Sequence, residues 1–134
     1  VCMNRTFSII KPDATQRNIT GSINKIIEDN NLTIVAQKRI KLSREKAEGF
    51  YAIHKEKPFF NDLIEYMTSG MIVAIELEKD NAVKEFRDLI GDTDPNNAKD
   101  GTIRKKFALN KSNNSIHGSD SNENAIKEIK IIFN

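Results

Sequence analysis

The chain has 134 residues, 38% hydrophobic and 30% charged, enough for one compact domain over residues 1–134 with one core and too few for a second. With 21 basic and 19 acidic residues the formal charge is +2, which argues against a nucleic-acid or membrane surface as the main partner and makes any functional positive patch local. A single cysteine excludes an internal disulfide, and with no apolar run longer than Met71 to Ile75 and no signal-like N-terminal region, a soluble cytoplasmic protein is expected.

Thr6 to Lys11 reads as a first strand, stopped by Pro12, which forces Lys11 into an extended conformation at the strand exit. Thr20 is expected to cap a helix with Ile23, Ile26 and Ile27 on one face, ending at Asn30-Asn31. Leu32 to Ile40 reads as the second strand. Ser43 opens a helix carrying Ala47, Phe50, Tyr51 and His54, interrupted by Pro58, and a second helix follows from Phe59 to Met67. Ser69-Gly70 turns the chain into a buried strand from Met71 to Leu77, after which Asp80 caps a helix through Leu89 that Gly91 ends. Asp92 to Asn114 is polar, has little periodicity and reads as a long loop, functional or disordered. A short strand at Ser115 to His117 leads into a last helix opened by Asp120 and Glu123, with Ala125, Ile126, Ile129 and Ile132 as its apolar positions.

The order of elements suggests βαββαβ. That is a ferredoxin-like sandwich of the α/β (α+β) class, a four-stranded antiparallel sheet covered by helices, here expected on one face. The fold alone says nothing about activity. Chemistry is concentrated in Asn114-Ser115-Ile116-His117-Gly118-Ser119-Asp120-Ser121, where one of only two histidines sits among small polar residues before a helix. A neutral imidazole is nucleophilic at cellular pH and attacks phosphorus without a base. Gly118 is expected to remove side-chain bulk beside a phosphate, and His54 reads as structural or solvated. No Gly-x-x-x-x-Gly-Lys-Ser/Thr or Gly-x-Gly-x-x-Gly run is present, so phosphate recognition has to come from side chains.

Lys11-Pro12-Asp13, Pro58-Phe59-Phe60, Gly101-Thr102-Ile103-Arg104 and the histidine motif, in this order and spacing, resemble the motifs of nucleoside diphosphate kinases over Arg5 to Phe133. The resemblance implies transfer of the γ-phosphate of a nucleoside triphosphate, mainly ATP, to a nucleoside diphosphate by a ping-pong mechanism through phosphorylated His117, with Mg²⁺. It further implies that Glu128 orients the imidazole with Nδ1 as nucleophile, and that Tyr51 hydrogen-bonds nearby. Lys11, Arg87, Thr93 and Arg104 would contact phosphates, Asn114 and Lys11 the sugar hydroxyls or phosphate oxygens, and Phe59 flanked by Leu63 would stack on the base. Mg²⁺ would be held mainly by substrate phosphates, with Asp120 reaching it through water and no dedicated metal site. A homo-oligomer, tetramer or hexamer, is implied as well. Met71, Lys106 and Ile53 depart from commoner family residues, and the chain resembles the family's shorter members. Two other readings stay beside this one: a catalytically idle nucleotide-binding module of the same fold, and a single-stranded nucleic-acid binder built on Phe59 and basic residues.

Overall fold

The computed structural model describes residues 3–110 and 113–133. Strands β1 (Met3–Ile10), β2 (Thr33–Lys41), β3 (Met71–Asp80) and β4 (Ile116–Gly118) form one sheet in the order β2-β3-β1-β4, every pair antiparallel. Helices α1 (Pro12–Gln16) and α2 (Thr20–Asp29) follow β1; α3 (Arg44–Phe50) and α4 (Phe60–Met67), joined through a 3-10 turn at Ala52–His54, follow β2. After β3 come α5 (Ala82–Ile90) and α6 (Ile103–Phe107), and α7 (Asn122–Phe133) follows β4. Among the described residues no helix is long and apolar enough to cross a membrane.

The side chains of β1 and β3 explain why the helices divide into two layers. Both strands are buried at successive positions, Thr6 to Ile10 in β1 and Ile72 to Ile75 in β3, so both faces of the sheet are covered. Val73, Ile75, Leu77 and Ile10 pack with Ile23 and Ile27 of α2 and Phe86 and Ile90 of α5. Phe7, Ile9, Ile72 and Ala74 pack on the opposite face with Ala47 and Phe50 of α3, Ile64 and Met67 of α4, and Ile132 of α7. Helices on one face only, as the sequence suggested, would have left this second set in water, at roughly 1.5–3 kcal/mol per large apolar side chain.

Several boundaries also differ. Ser43 caps α3 as expected, accepting the Lys46 amide at 3.1 Å. Thr20, by contrast, is already helical and Ile19 is the cap residue, without a side-chain bond. Asp80 ends β3 opposite Met3, and α5 is preceded by Asn81 in a left-handed conformation that asparagine tolerates. Ser121 accepts the Asn124 amide at the start of α7, while Asp120 accepts the Asn124 side chain. The stretch read as one long loop contains α6, capped by Thr102 through the Lys105 amide.

β4 pairs Ser8 with Gly118, Ile9 with His117 and Ile10 with Ile116. This register puts His117 on the face of Phe7 and Ile9, and position 118 on the other. A Cβ at Gly118 would lie 3.0 Å from Ile90 and 3.1 Å from Phe86. The glycine therefore makes room for α5, not chiefly for a phosphate. Gly118→Ala is expected to lower stability by about 1–3 kcal/mol through overpacking, measured as a fall in the urea midpoint.

Candidate active site

His117 is the middle residue of a three-residue strand, and two layers hold its ring. The ring centroid lies 5.4 Å from that of Phe50, edge to face, and 6.3 Å from that of Phe7. Nε2 sits 3.0 Å from Oε1 of Glu128 on α7, and the Ser119 hydroxyl donates to the same oxygen at 2.6 Å. A proton on Nε2, donated to this carboxylate, leaves the lone pair on Nδ1. Burial pushes the imidazole pKa down; Glu128 opposes that, and the positive charges of Lys11 and Arg104 add to it. The balance keeps the ring neutral near pH 7.

A cleft of about 300 Å³ opens beside the ring, lined by His117, Gly118, Arg87, Thr93, Arg104, Asp120 and Glu128 together with the Tyr51–His54 turn and one face of α7. Arg104 is nearly buried and braced by the carbonyls of Gly91 at 3.1 Å and Ile116 at 2.8 Å, while its Nε finds no hydrogen-bond partner. Burial and the neighbouring Arg87 bring its pKa down to about 10, so it stays charged. Arg87 reaches the Gly118 carbonyl at 3.4 Å. Arg87, Thr93, Arg104 and His117 are thus brought to one cleft.

Lys11 and Asn114 sit outside the lining. The two are joined to each other, the Lys11 ammonium donating to the Asn114 side-chain oxygen at 2.8 Å, and both are buried. Desolvation first, then Arg104, lowers the Lys11 pKa to about 8, against the opposing pull of Asp13. Phe59 and Leu63 also lie off the cleft. Phe59 stands at the start of α4, 49% exposed, with its ring 5.8 Å from His54, which lines the cleft. Leu63, one turn on, packs against the second core cluster.

The Tyr51 hydroxyl corrects the sequence reading. It is buried in the cleft wall, yet it makes no hydrogen bond, and burial with the Glu128 carboxylate nearby raises its pKa. His54 is less bland than expected, because its Nδ1 is also buried without a partner. Ser119, Asn124 and Lys127 were given no role from the sequence, although their spacing carried the information. Ser119 is two residues from His117 and so shares its side of an extended chain, while Asn124, Lys127, Glu128 and Ile131 fall on one helical face. Among the described residues there is no group of three or more His, Cys, Asp or Glu able to hold a metal. Of the two carboxylates in the cleft, Glu128 is engaged by His117 and Ser119, and Asp120 by Asn124.

A model of the family described as nucleoside diphosphate kinase matches residues 4–134. Nucleoside diphosphate kinases of Phenylobacterium zucineum and Novosphingobium aromaticivorans are 58% and 56% identical to the chain. The alignments cover 96% of this chain and 93% of the first relative, and 99% and 95% for the second. Among solved structures, a crystal form of the Aquifex aeolicus nucleoside diphosphate kinase superposes with a TM-score of 0.96 at 40% identity, covering 99% of this chain and 96% of that one. The apo enzyme from Encephalitozoon cuniculi gives 0.93 at 41% identity, covering 96% and 88%. With its histidine strand, its flanking cations and this likeness over nearly its whole length, the chain belongs to the nucleoside diphosphate kinase family.

Proposed function

We propose that the chain transfers the γ-phosphate of a nucleoside triphosphate, mainly ATP, to a nucleoside diphosphate, with His117 carrying the phosphate between them. The observation that carries this reading is the His117 to Glu128 contact at Nε2, which leaves the Nδ1 lone pair in a cleft walled by Arg87, Thr93 and Arg104. In the first half reaction Nδ1 forms a bond to the γ-phosphorus as the bond to the bridging oxygen breaks, and the diphosphate leaves with that oxygen's charge. In the second, a terminal oxygen of another diphosphate attacks the phosphohistidine and returns the electron pair to Nδ1. Both steps rest on positioning and charge stabilisation.

Arg87 and Arg104 supply charge at the phosphates, Thr93 a hydroxyl, and Lys11, whose ammonium donates to the Asn114 side-chain oxygen, a further cation for phosphate or sugar oxygens with Asn114 beside it. Tyr51 stands in the cleft wall, its buried hydroxyl without a protein partner. Phe59 offers a half-exposed ring for any base, with Leu63 one turn along α4, which suits broad specificity. Mg²⁺, when bound, neutralises phosphate charge; it keeps several waters and takes one or two carboxylates, a demand that Asp120 alone fits. A cytoplasmic homo-oligomer is the assembly this reading carries with it, and light scattering distinguishes a tetramer from a hexamer.

Mixing the protein with γ-labelled ATP and no acceptor should label His117 with an acid-labile phosphate that any nucleoside diphosphate discharges, with ping-pong steady-state kinetics. Transfer that persists in His117→Ala would sink the mechanism. Phe59→Ala should weaken all bases alike, and a loss confined to one base contradicts stacking. Lys11 gives a stability test. Its lowered pKa means that the unfolded chain keeps a proton the folded chain releases between about pH 8 and 10.5, so stability rises with pH through that window. Lys11→Met should therefore raise the thermal midpoint at pH 7 while cutting transfer by roughly 10²-fold; an unchanged or lower midpoint would show that the buried ammonium costs the fold nothing.

A further inference from the structure

Asp13 lies outside the cleft, and the transfer described above does not use it. Its carboxylate is nonetheless buried, 7% exposed, and receives hydrogen bonds from three side chains, one in the turn before β4, one just after α1 and one on α4. The Ser115 hydroxyl donates to Oδ2 at 2.7 Å, Arg17 donates to the same oxygen at 3.1 Å, and the Tyr66 hydroxyl of α4 donates to Oδ1. Arg17 extends the network, donating to Ser115 Oγ at 3.0 Å and to the carbonyl of Phe107, the last residue of α6, at 2.7 Å.

Every segment gathered here carries a group of the site. Lys11 is two residues before Asp13, and its backbone amide donates to the Ser115 carbonyl at 2.8 Å. Asn114, the acceptor for the Lys11 ammonium, adjoins Ser115; His117 is two residues beyond it. Arg104 rides on α6, whose end Arg17 holds. Ser115 itself has φ 72°, a left-handed backbone that strains a non-glycine residue. A turn under such strain persists only when its surroundings enforce it, and here the enforcing group is a buried carboxylate.

We propose that Asp13 is a positioning residue for phosphoryl transfer, fixing through Ser115 and Arg17 where Lys11, Asn114 and Arg104 stand around His117. The proposal rests on His117 being the phosphate carrier. It also has an electrostatic consequence that plain structural support lacks. The charged groups acting on Lys11 are Asp13 from α1 and Arg104 from α6, with His117 of β4 close enough to feel the Lys11 charge in turn. Asp13 opposes the loss of the Lys11 proton, so neutralising it moves that loss to lower pH.

The test is the rate of His117 labelling by γ-labelled ATP held well below saturation, so that the free protein is what titrates, measured on the whole chain across pH with circular dichroism as the check on folding. In the native protein labelling should fall on the alkaline side near the Lys11 pKa of about 8. Asp13→Asn should label about tenfold or more slowly, with its alkaline fall moved down by about one pH unit. Ser115→Ala, which cuts the link to the turn but keeps the Asp13 charge, should slow labelling severalfold and leave the alkaline fall in place. A folded Asp13→Asn protein that labels at the native rate, or that is slow with an unmoved alkaline fall, overturns the proposal. If Asp13→Asn does not fold, Ser115→Ala decides: a native labelling rate overturns the proposal and a slowed one supports it. Native protein that takes up no label at all defeats the reading of His117 itself, a result distinct from failure of the variants.

Discussion

The pairing of β4 with β1 is the constraint on which the site depends. Only three residues of β4 are paired, and the register sets His117 against Ile9 on the face that α3, α4 and α7 cover. A slip of one residue would turn the imidazole toward α5 and carry it away from Glu128. The second helical layer is therefore as necessary to the chemistry as the strand. Phe50 from α3 and Glu128 from α7 meet the ring only because the apolar side chains of β1 and β3 demand cover on that face.

Around this fixed ring the protein keeps positive charge where solvent is scarce. Lys11 and Arg104 are both nearly buried, and desolvation is the largest influence on each. Hydrophobic substitutes of similar volume would suit the fold better. Buried cations of this kind suit an anionic ligand, which is the proposed phosphate role, and among the described residues only Asp13 and Asp92 oppose their loss of charge. The same cations lower the His117 pKa and so help hold its ring neutral.

The sequence conveyed the strands, the Ser43 cap and the Asn30-Asn31 break because each has a local cause. Pro12 stops the strand, the Ser43 hydroxyl satisfies a helical amide, and asparagine accepts the left-handed turn at position 31. It conveyed the histidine and the positions of the cations through family likeness. What it withheld depends on packing between distant segments. Periodicity told which residues of α3, α4 and α7 are apolar but not which face of the sheet they meet. A five-residue helix such as α6 is too short to show a period, and Gly118 could be understood only once Ile90 and Phe86 were seen above it. Tyr51 was expected to bond near the ring, and only the fold reveals a hydroxyl without a partner.

The two arginines of the cleft have one more effect. Lys11 bonds to Ser115 and Ser119 to Phe7 at the two ends of the β1–β4 ladder, so by antiparallel alternation the carbonyls of Ile116 and Gly118 point away from β1. Arg104 and Arg87 donate to those two oxygens. Guanidinium groups thus cap a sheet margin that would otherwise be a template for strand addition. Residues suited to anions also serve as a seal against aggregation at β4, so any extension of the sheet by a further strand is confined to the β2 side.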